Sequence, residues 1–188
     1  TIADPKTFGI SEYEPVLPIY HSGQPEDSKE HCSDLLHRLD RIDPDRLSPE
    51  NAYTYRLLHR SLENDLALAD FPYYNEPLSP SSGMQSQLPV LLAEYTFRTK
   101  RDVTDYLALL DQIDDYFSSL LLYEQEKAAA GFFMPACSSE KVRKQCDTIV
   151  TAEELAQGTH FLQTTFEDRL SELQKQGLFT PEETASLI

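Results

Sequence analysis

Residues 99–131 read TKRDVTDYLALLDQIDDYFSSLLLYEQEKAAAG, and this stretch decides the fold class. Thr99 with Asp102 three residues on has the form of a capping box, Asp standing where Glu is usual. Val103, Leu107, Leu110, Phe117 and Leu121 then recur at the spacing of one helix face. The pattern predicts one long helix over about 100–130. Gly131 stops it, and Phe132, Phe133, Met134 and Pro135 form an apolar turn leading out.

Helical signals continue on both sides. Leu35, Leu36, Leu39 and Ile42 mark an amphipathic helix over about 26–42, closed by Asp43 and Pro44. Ser48, Pro49 and Glu50 open a second over about 49–71, with Tyr55, Leu58, Leu62, Leu66 and Ala69 on one face. Downstream, Ser139 caps a short helix over about 140–149 carrying Val142, Cys146 and Ile149. Thr151 and Glu154 box one over about 152–157, and Leu162, Phe166, Leu170 and Leu173 line a last full helix over about 160–176. Nothing alternates long enough for a strand ladder, and no hairpin dipeptide or long repeat is apparent. The expected class is all-α, an irregular multi-helix bundle with one long Pro-rich loop, forming a single helical region over 1–188.

That loop spans 72–89. Pro72, Pro77, Pro80, Pro89 and Gly83 crowd it beyond what a regular helix accepts, with one turn around Met84 to Leu88. Tyr73, Tyr74, Asn75, Ser79, Ser82, Gln85 and Gln87 supply hydroxyl and amide groups suited to gripping peptide backbone. The plainer reading of the same groups is that they cap helices and satisfy the loop's own backbone.

Charge narrows the partners. The 188 residues carry 32 acidic and 16 basic side chains, a net −16, which repels the phosphates of nucleic acid and of an anionic membrane. Leu88 to Ala93 and Leu120 to Tyr123 are the most apolar stretches and fall far short of a membrane span.

Chemical motifs are missing. None of His21, His31, His37, His59 and His160 is followed by Glu, so the helical zinc-peptidase motif is absent. His31 and His37 stand about 240° apart around one helix and cannot share a metal with Cys32 and Asp34. His160 suits a helix-start role. The carboxylate pairs Asp114 with Asp115 and Glu124 with Glu126 read as solvated faces in so acidic a chain, and Ser81-Ser82-Gly83 lacks the Lys and second Gly of a phosphate loop. No catalytic or metal-binding residue is assigned. Cys32, Cys137 and Cys146 form no framework; a Cys137 to Cys146 bridge is one option and small core hydrophobes the other.

At the ends, Thr1 is preceded by no Met or leader, so an upstream segment is expected. Thr180, Pro181, Glu182 and Glu183 open a further helix close to Ile188, and Leu178, Phe179, Leu187 and Ile188 are expected to seek partners and promote self-association.

Glu76 to Tyr95 (EPLSPSSGMQSQLPVLLAEY), Asp102 to Leu110 (DVTDYLALL) and Glu126 to Met134 (EKAAAGFFM) resemble the bacterial family catalogued as domain of unknown function 885. The likeness runs from Asp4 to Ile10 through His160-Phe-Leu to near the end. It implies a mainly helical protein, longer than this chain, whose later part carries a His-Glu zinc motif and places it near the zinc metallopeptidases. This chain resembles the N-terminal third, and no family ligand maps onto it. What carries over is the signature from Ser82-Gly83 to Leu88-Pro89, expected with Tyr73, Tyr74, Asn75, Ser79, Gln85 and Gln87 to face a substrate cleft. The resemblance also implies zinc in the longer parent but no cofactor here, the rest of its own chain and a peptide substrate as partners, and an exported, lipoprotein-like bacterial hydrolase of the cell envelope or exterior, with a cytoplasmic site left open. The alternative is a non-catalytic helical module that binds a peptide or protein.

Overall fold

A computed structural model describes residues 10, 12–20 and 24–187. Asp4 to Gly9, His21 and Ile188, named above, lie outside the described residues. Among those described there are helices and turns and no strand, so the protein is all-α. The helices are α1 (Gln24–Leu39), α2 (Pro49–Leu68), α3 (Met84–Ala93), α4 (Lys100–Asp111), α5 (Ile113–Ala129), α6 (Ala136–Ile149), α7 (Ala152–Gln157), α8 (Phe161–Lys175) and α9 (Pro181–Ala185), with a 3-10 turn at Pro44–Arg46. The chain divides into two compact units. The first takes the chain up to Ile19, Pro77–Ser118 and Met134 onward; the second takes Tyr20–Glu76 and Ser119–Phe133.

In the first unit α3 packs against α6 and α8, and α8 against α9. Its core is aromatic on one side: Tyr106 of α4 stacks on Phe166 of α8 at 5.5 Å, and Phe97 meets both edge-on at 5.3 and 5.6 Å. Val103, Leu170 and Leu173 complete it, all nearly inaccessible to solvent. Offset and edge-on ring pairs of this kind add to the area they bury.

In the second unit α1 and α2 form a hairpin. Ser48 caps α2 by accepting the Asn51 N–H, and Pro49 occupies the first helical turn, where no N–H is needed. Ala52, Tyr55, His59, Leu62, Leu66 and Ala69 turn inward at alternating steps of three and four. Leu58, expected on this face, is 47% exposed, and His59 takes the inward place, bonded to Asp40 at 3.2 Å.

Several expectations are corrected. The helix over 100–130 is broken at Gln112. Its side-chain Nε2 donates to Ala108 O at 2.7 Å, the carbonyl its own backbone N–H would take in an unbroken helix, and that N–H moves to Leu109 O. A side chain inserted into the hydrogen-bond ladder interrupts it. The break shifts the buried stripe to Val103, Tyr106, Leu109, Tyr116 and Leu120, leaving Leu107, Leu110 and Phe117 half-buried and Leu121 exposed. The loop over 72–89 ends early: α3 starts at Met84 and carries Pro89 inside it. An interior proline costs about 3 kcal/mol, and burial of Leu88 and Leu92 at about 1.5–3 kcal/mol each matches or exceeds it.

Smaller shifts follow the same logic. α1 ends at Leu39, and Asp43 caps the 3-10 turn by accepting the Asp45 N–H. α2 ends at Leu68. α6 starts at Ala136 behind Pro135, so Ser139 is inside it, its hydroxyl bonded to Ala136 O. α8 covers Phe161–Lys175. Cys137 and Cys146 are exposed free thiols on α6, not core residues. Nine positions along one helix separate them by about 13 Å, beyond the reach of a disulfide. Phe179, expected to seek a partner, is buried under Lys100, whose Nζ stands 4.9 Å from the ring.

Candidate functional site

The eight positions expected to face a substrate fall in different units: Tyr73, Tyr74 and Asn75 in the second, Ser79, Ser82, Gly83, Gln85 and Gln87 in the first. Each turn has its own scaffold.

In the first unit, Pro77 to Gly83 folds back on the start of α3. Gly83 N–H donates to Ser79 O at 3.0 Å, Met84 N–H to Pro77 O at 2.9 Å, and Ser82 N–H to the Ser79 hydroxyl at 3.2 Å. Gln85 is buried, its Nε2 donating to Ser79 O at 2.7 Å and to Gln145 Oε1 at 2.9 Å. Gln145 Nε2 in turn donates to Pro80 O at 2.9 Å. The two glutamines thus hold the turn from beneath, and Gln85 Oε1 is left without a hydrogen-bond partner. Gly83 is buried as well, while Ser82 and Gln87 face solvent and offer a hydroxyl and an amide.

In the second unit, the turn at Pro72 to Glu76 is tied to the end of α5. Tyr123 donates its hydroxyl to Pro72 O at 2.9 Å and Asn75 O at 3.2 Å. Lys127 Nζ sits 2.6 Å from Glu76 Oε1, 3.4 Å from Asn75 O and 3.9 Å from Glu124 Oε2, its side chain only 3% exposed. Burial pushes the Glu124 carboxyl up, Lys127 pulls it down, and Glu76 raises it again. Tyr73 packs between Tyr123 and Phe132, with ring centroids at 6.1 and 5.8 Å. Tyr74 is 80% exposed, and Asn75 points its side chain to solvent while its carbonyl is spent on α5.

Sequence reasoning missed the three residues that do the holding: Gln145, Tyr123 and Lys127. For Lys127 the signal emerges once the break at Gln112 is known, since it then continues the inward run of Tyr116, Leu120 and Tyr123, where a lysine needs a carboxylate partner. His160 caps α8 as expected: Nδ1 accepts the Leu162 N–H at 3.3 Å and Nε2 donates to Ile149 O at 2.9 Å.

Burial first, then nearby acidic groups, pushes Tyr123 in the second unit and Tyr95 in the first up to about 12. Their ordinary value is near 10, so the folded state holds these phenol protons more tightly than the unfolded one. The sign follows: their contribution to stability is intact below pH 10 and is lost as pH rises toward 12. Urea midpoints followed against pH should therefore hold level to about pH 10 and fall above it, together with the rise of tyrosinate absorbance. A midpoint unchanged up to pH 12 would contradict this.

Among the described residues no group of three His, Cys, Asp or Glu side chains is placed to hold a metal, and no helix is long and apolar enough to cross a membrane. An open depression of about 500 Å³ in the first unit is lined by Thr96, Phe97, Arg169 and Lys175 among others, but its cations are engaged. Arg169 donates to the carbonyls of Leu92 and Ala93, and Lys175 to Glu172. The chemistry on offer is hydrogen bonding and aromatic contact from two anchored turns.

The fold and these turns define an all-α protein that presents polar loop groups on fixed scaffolds. The chain belongs to the family described as bacterial protein of unknown function (DUF885), whose model matches residues 6–185. Neither the curated proteins nor the solved structures contain a significant match to it.

Proposed function

We propose that this chain is the N-terminal helical region of a longer zinc-dependent peptidase, shaping one wall of the substrate groove and performing no chemistry itself. Among the described residues no group of three His, Cys, Asp or Glu side chains is placed to hold zinc, and in this reading the metal and the general base come from the rest of the longer protein. Zinc in such enzymes supplies an activated water. This chain's share is to offer peptide backbone the exposed hydroxyl and amide groups of the anchored turn in the first unit.

The observation that carries the reading is the anchoring itself. Gln85 and Gln145 are consumed beneath one turn and Tyr123 and Lys127 beneath the other, leaving Ser82, Gln87, Tyr74 and Asn75 turned outward. Support for a longer parent comes from the second unit, where Leu121, Leu122 and Phe132 are each more than half exposed and Phe133 is 73% exposed. Apolar surface of this extent suits contact with further chain. An envelope or extracellular location is part of the same proposal.

A second reading is a non-catalytic module that binds a peptide or protein. Tyr74 favours it: a mostly exposed aromatic on an anchored turn is the kind of side chain that dominates binding interfaces.

Peptide turnover by the full gene product tests both. Gln87→Ala should raise KM for a peptide substrate by about tenfold, the effect of about 1.4 kcal/mol of lost binding, with kcat little changed, and Tyr74→Ala reads the turn of the second unit separately. Unchanged KM in both variants would sink the groove placement. A gene product that turns over no peptide but binds one, more weakly after Tyr74→Ala, would establish the module instead.

A further inference from the structure

Residues 12–19 run extended along the first unit, and their burial alternates. Tyr13, Pro15 and Leu17 are half-buried, while Glu12, Glu14, Val16 and Pro18 face solvent. A period of two is the signature of an extended strand lying on a surface, yet this one pairs with side chains and not with a sheet. Arg101 donates to Tyr13 O at 2.8 Å; Gln112 donates to Pro15 O at 2.9 Å and accepts the Leu17 N–H at 3.0 Å. Backbone groups of three alternate residues are thus read in succession from α4 and its break.

The ends of the track are defined by side chains. The Arg101 guanidinium lies over the Tyr13 ring at 4.4 Å, a cation–π contact, and burial first, then the neighbouring Asp105 carboxyl, push the Tyr13 phenol up. Asp105 is itself 6% exposed, with Arg101 Nε 3.5 Å from its Oδ2, an oxygen without a hydrogen-bond partner. Gln112 has both ends of its amide committed to the extended segment while also interrupting the helix that carries it. The side chain that interrupts the helix thus turns the rest of its hydrogen-bonding capacity to a distant segment, which is the arrangement a peptide-binding site requires.

We propose that Arg101, Asp105 and Gln112 form a binding site for an extended peptide with an aromatic residue, a proline and a leucine at alternate positions, filled in this structure by the chain's own Tyr13 to Leu17. The site reads main chain through Arg101 and Gln112 and selects the first side chain through Asp105. It therefore accepts a strand of the same pattern supplied in trans once the chain's own segment is released. The segment is suited to release, since Val16 is 66% and Ile19 56% exposed, so little apolar surface holds it down.

The probe is a fluorescein-labelled peptide of residues 12–19, EYEPVLPI, titrated by anisotropy into the full chain bearing Tyr13→Ala and Leu17→Ala. Saturable binding is expected, displaced by unlabelled peptide and weakened about tenfold by adding Gln112→Ala. Gln112→Glu, which keeps the acceptor for the Leu17 N–H and loses the donor, should fall between. A released chain with native helix content that binds no peptide, or one whose binding ignores both Gln112 variants, overturns the proposal. Should the substituted chain fail to fold, hydrogen exchange on the unsubstituted chain decides. The Leu17 amide should open well before global unfolding, and exchange of Leu17 only through global unfolding overturns the site as one that can be vacated.

Discussion

Gly83→Ala should destabilise the chain by about 3 kcal/mol, the upper range for forcing added volume into a closed site. A Cβ at this position would stand 2.1 Å from Gln85 Oε1, 2.2 Å from Ser79 N and 2.6 Å from Ser79 O. Two of those atoms are backbone and cannot swing away. The third belongs to a glutamine whose amide is already bonded to Ser79 O and Gln145. Backbone conformation is not the reason for glycine here, since its φ of −72° and ψ of 151° suit any residue. The requirement is close approach: the turn folds back until Gly83 N–H reaches Ser79 O. Gly131 provides the contrast, with a φ of +88° and nothing within 4 Å of an added Cβ. Gly131→Ala should cost only the left-handed strain, about 1 kcal/mol. Urea denaturation of the two variants would show this order, and equal losses would contradict it.

Lys127→Met should cost about 3 kcal/mol, because it leaves the half-buried Glu124 carboxylate without its cation and does not merely remove a contact. The ammonium stands between Glu76 and Glu124 with only 3% of its side chain exposed. Glu124 Oε1 has no hydrogen-bond partner, and burial already raises that carboxyl against the pull of Lys127. Without the lysine, Glu124 rises further. An acid with a raised folded-state pKa binds its proton more tightly when folded, so the deficit of the variant should be largest at neutral pH and shrink as pH falls into the carboxylate range. Adding Glu124→Gln to Lys127→Met should recover part of the loss, since the stranded charge is gone. Glu76→Gln should cost less than Lys127→Met, Glu76 being 37% exposed. Urea midpoints of the three variants and the unsubstituted chain at two pH values supply the check, and a deficit indifferent to pH would mean that packing, not charge, sets it.

What the sequence made legible was local. Ser48, Thr99, Thr151 and Thr180 start helices where expected because a cap is settled within three or four residues of chain. What it concealed was distant. The side chain that breaks the helix at Gln112 also bonds a segment 95 to 97 residues away, and no window of local periodicity contains both. α3 defeats the proline rule because Leu88 and Leu92 are buried against helices far along the chain. The turn residues illustrate the same limit. That Ser79, Ser82, Gln85 and Gln87 are polar was plain, but Gln85 turns inward and Gln87 outward only once the start of α3 is known. Tyr123 and Lys127 follow the run of Tyr116 and Leu120, a phase that emerges only once the break at Gln112 is known.

Elemental analysis for zinc, run side by side on this chain and on the full gene product after dialysis into metal-free buffer, tests the peptidase reading most directly. About one zinc per molecule in the full product and none in this chain is the result expected of a supporting region beside a metal centre held elsewhere. A full product without zinc would contradict it.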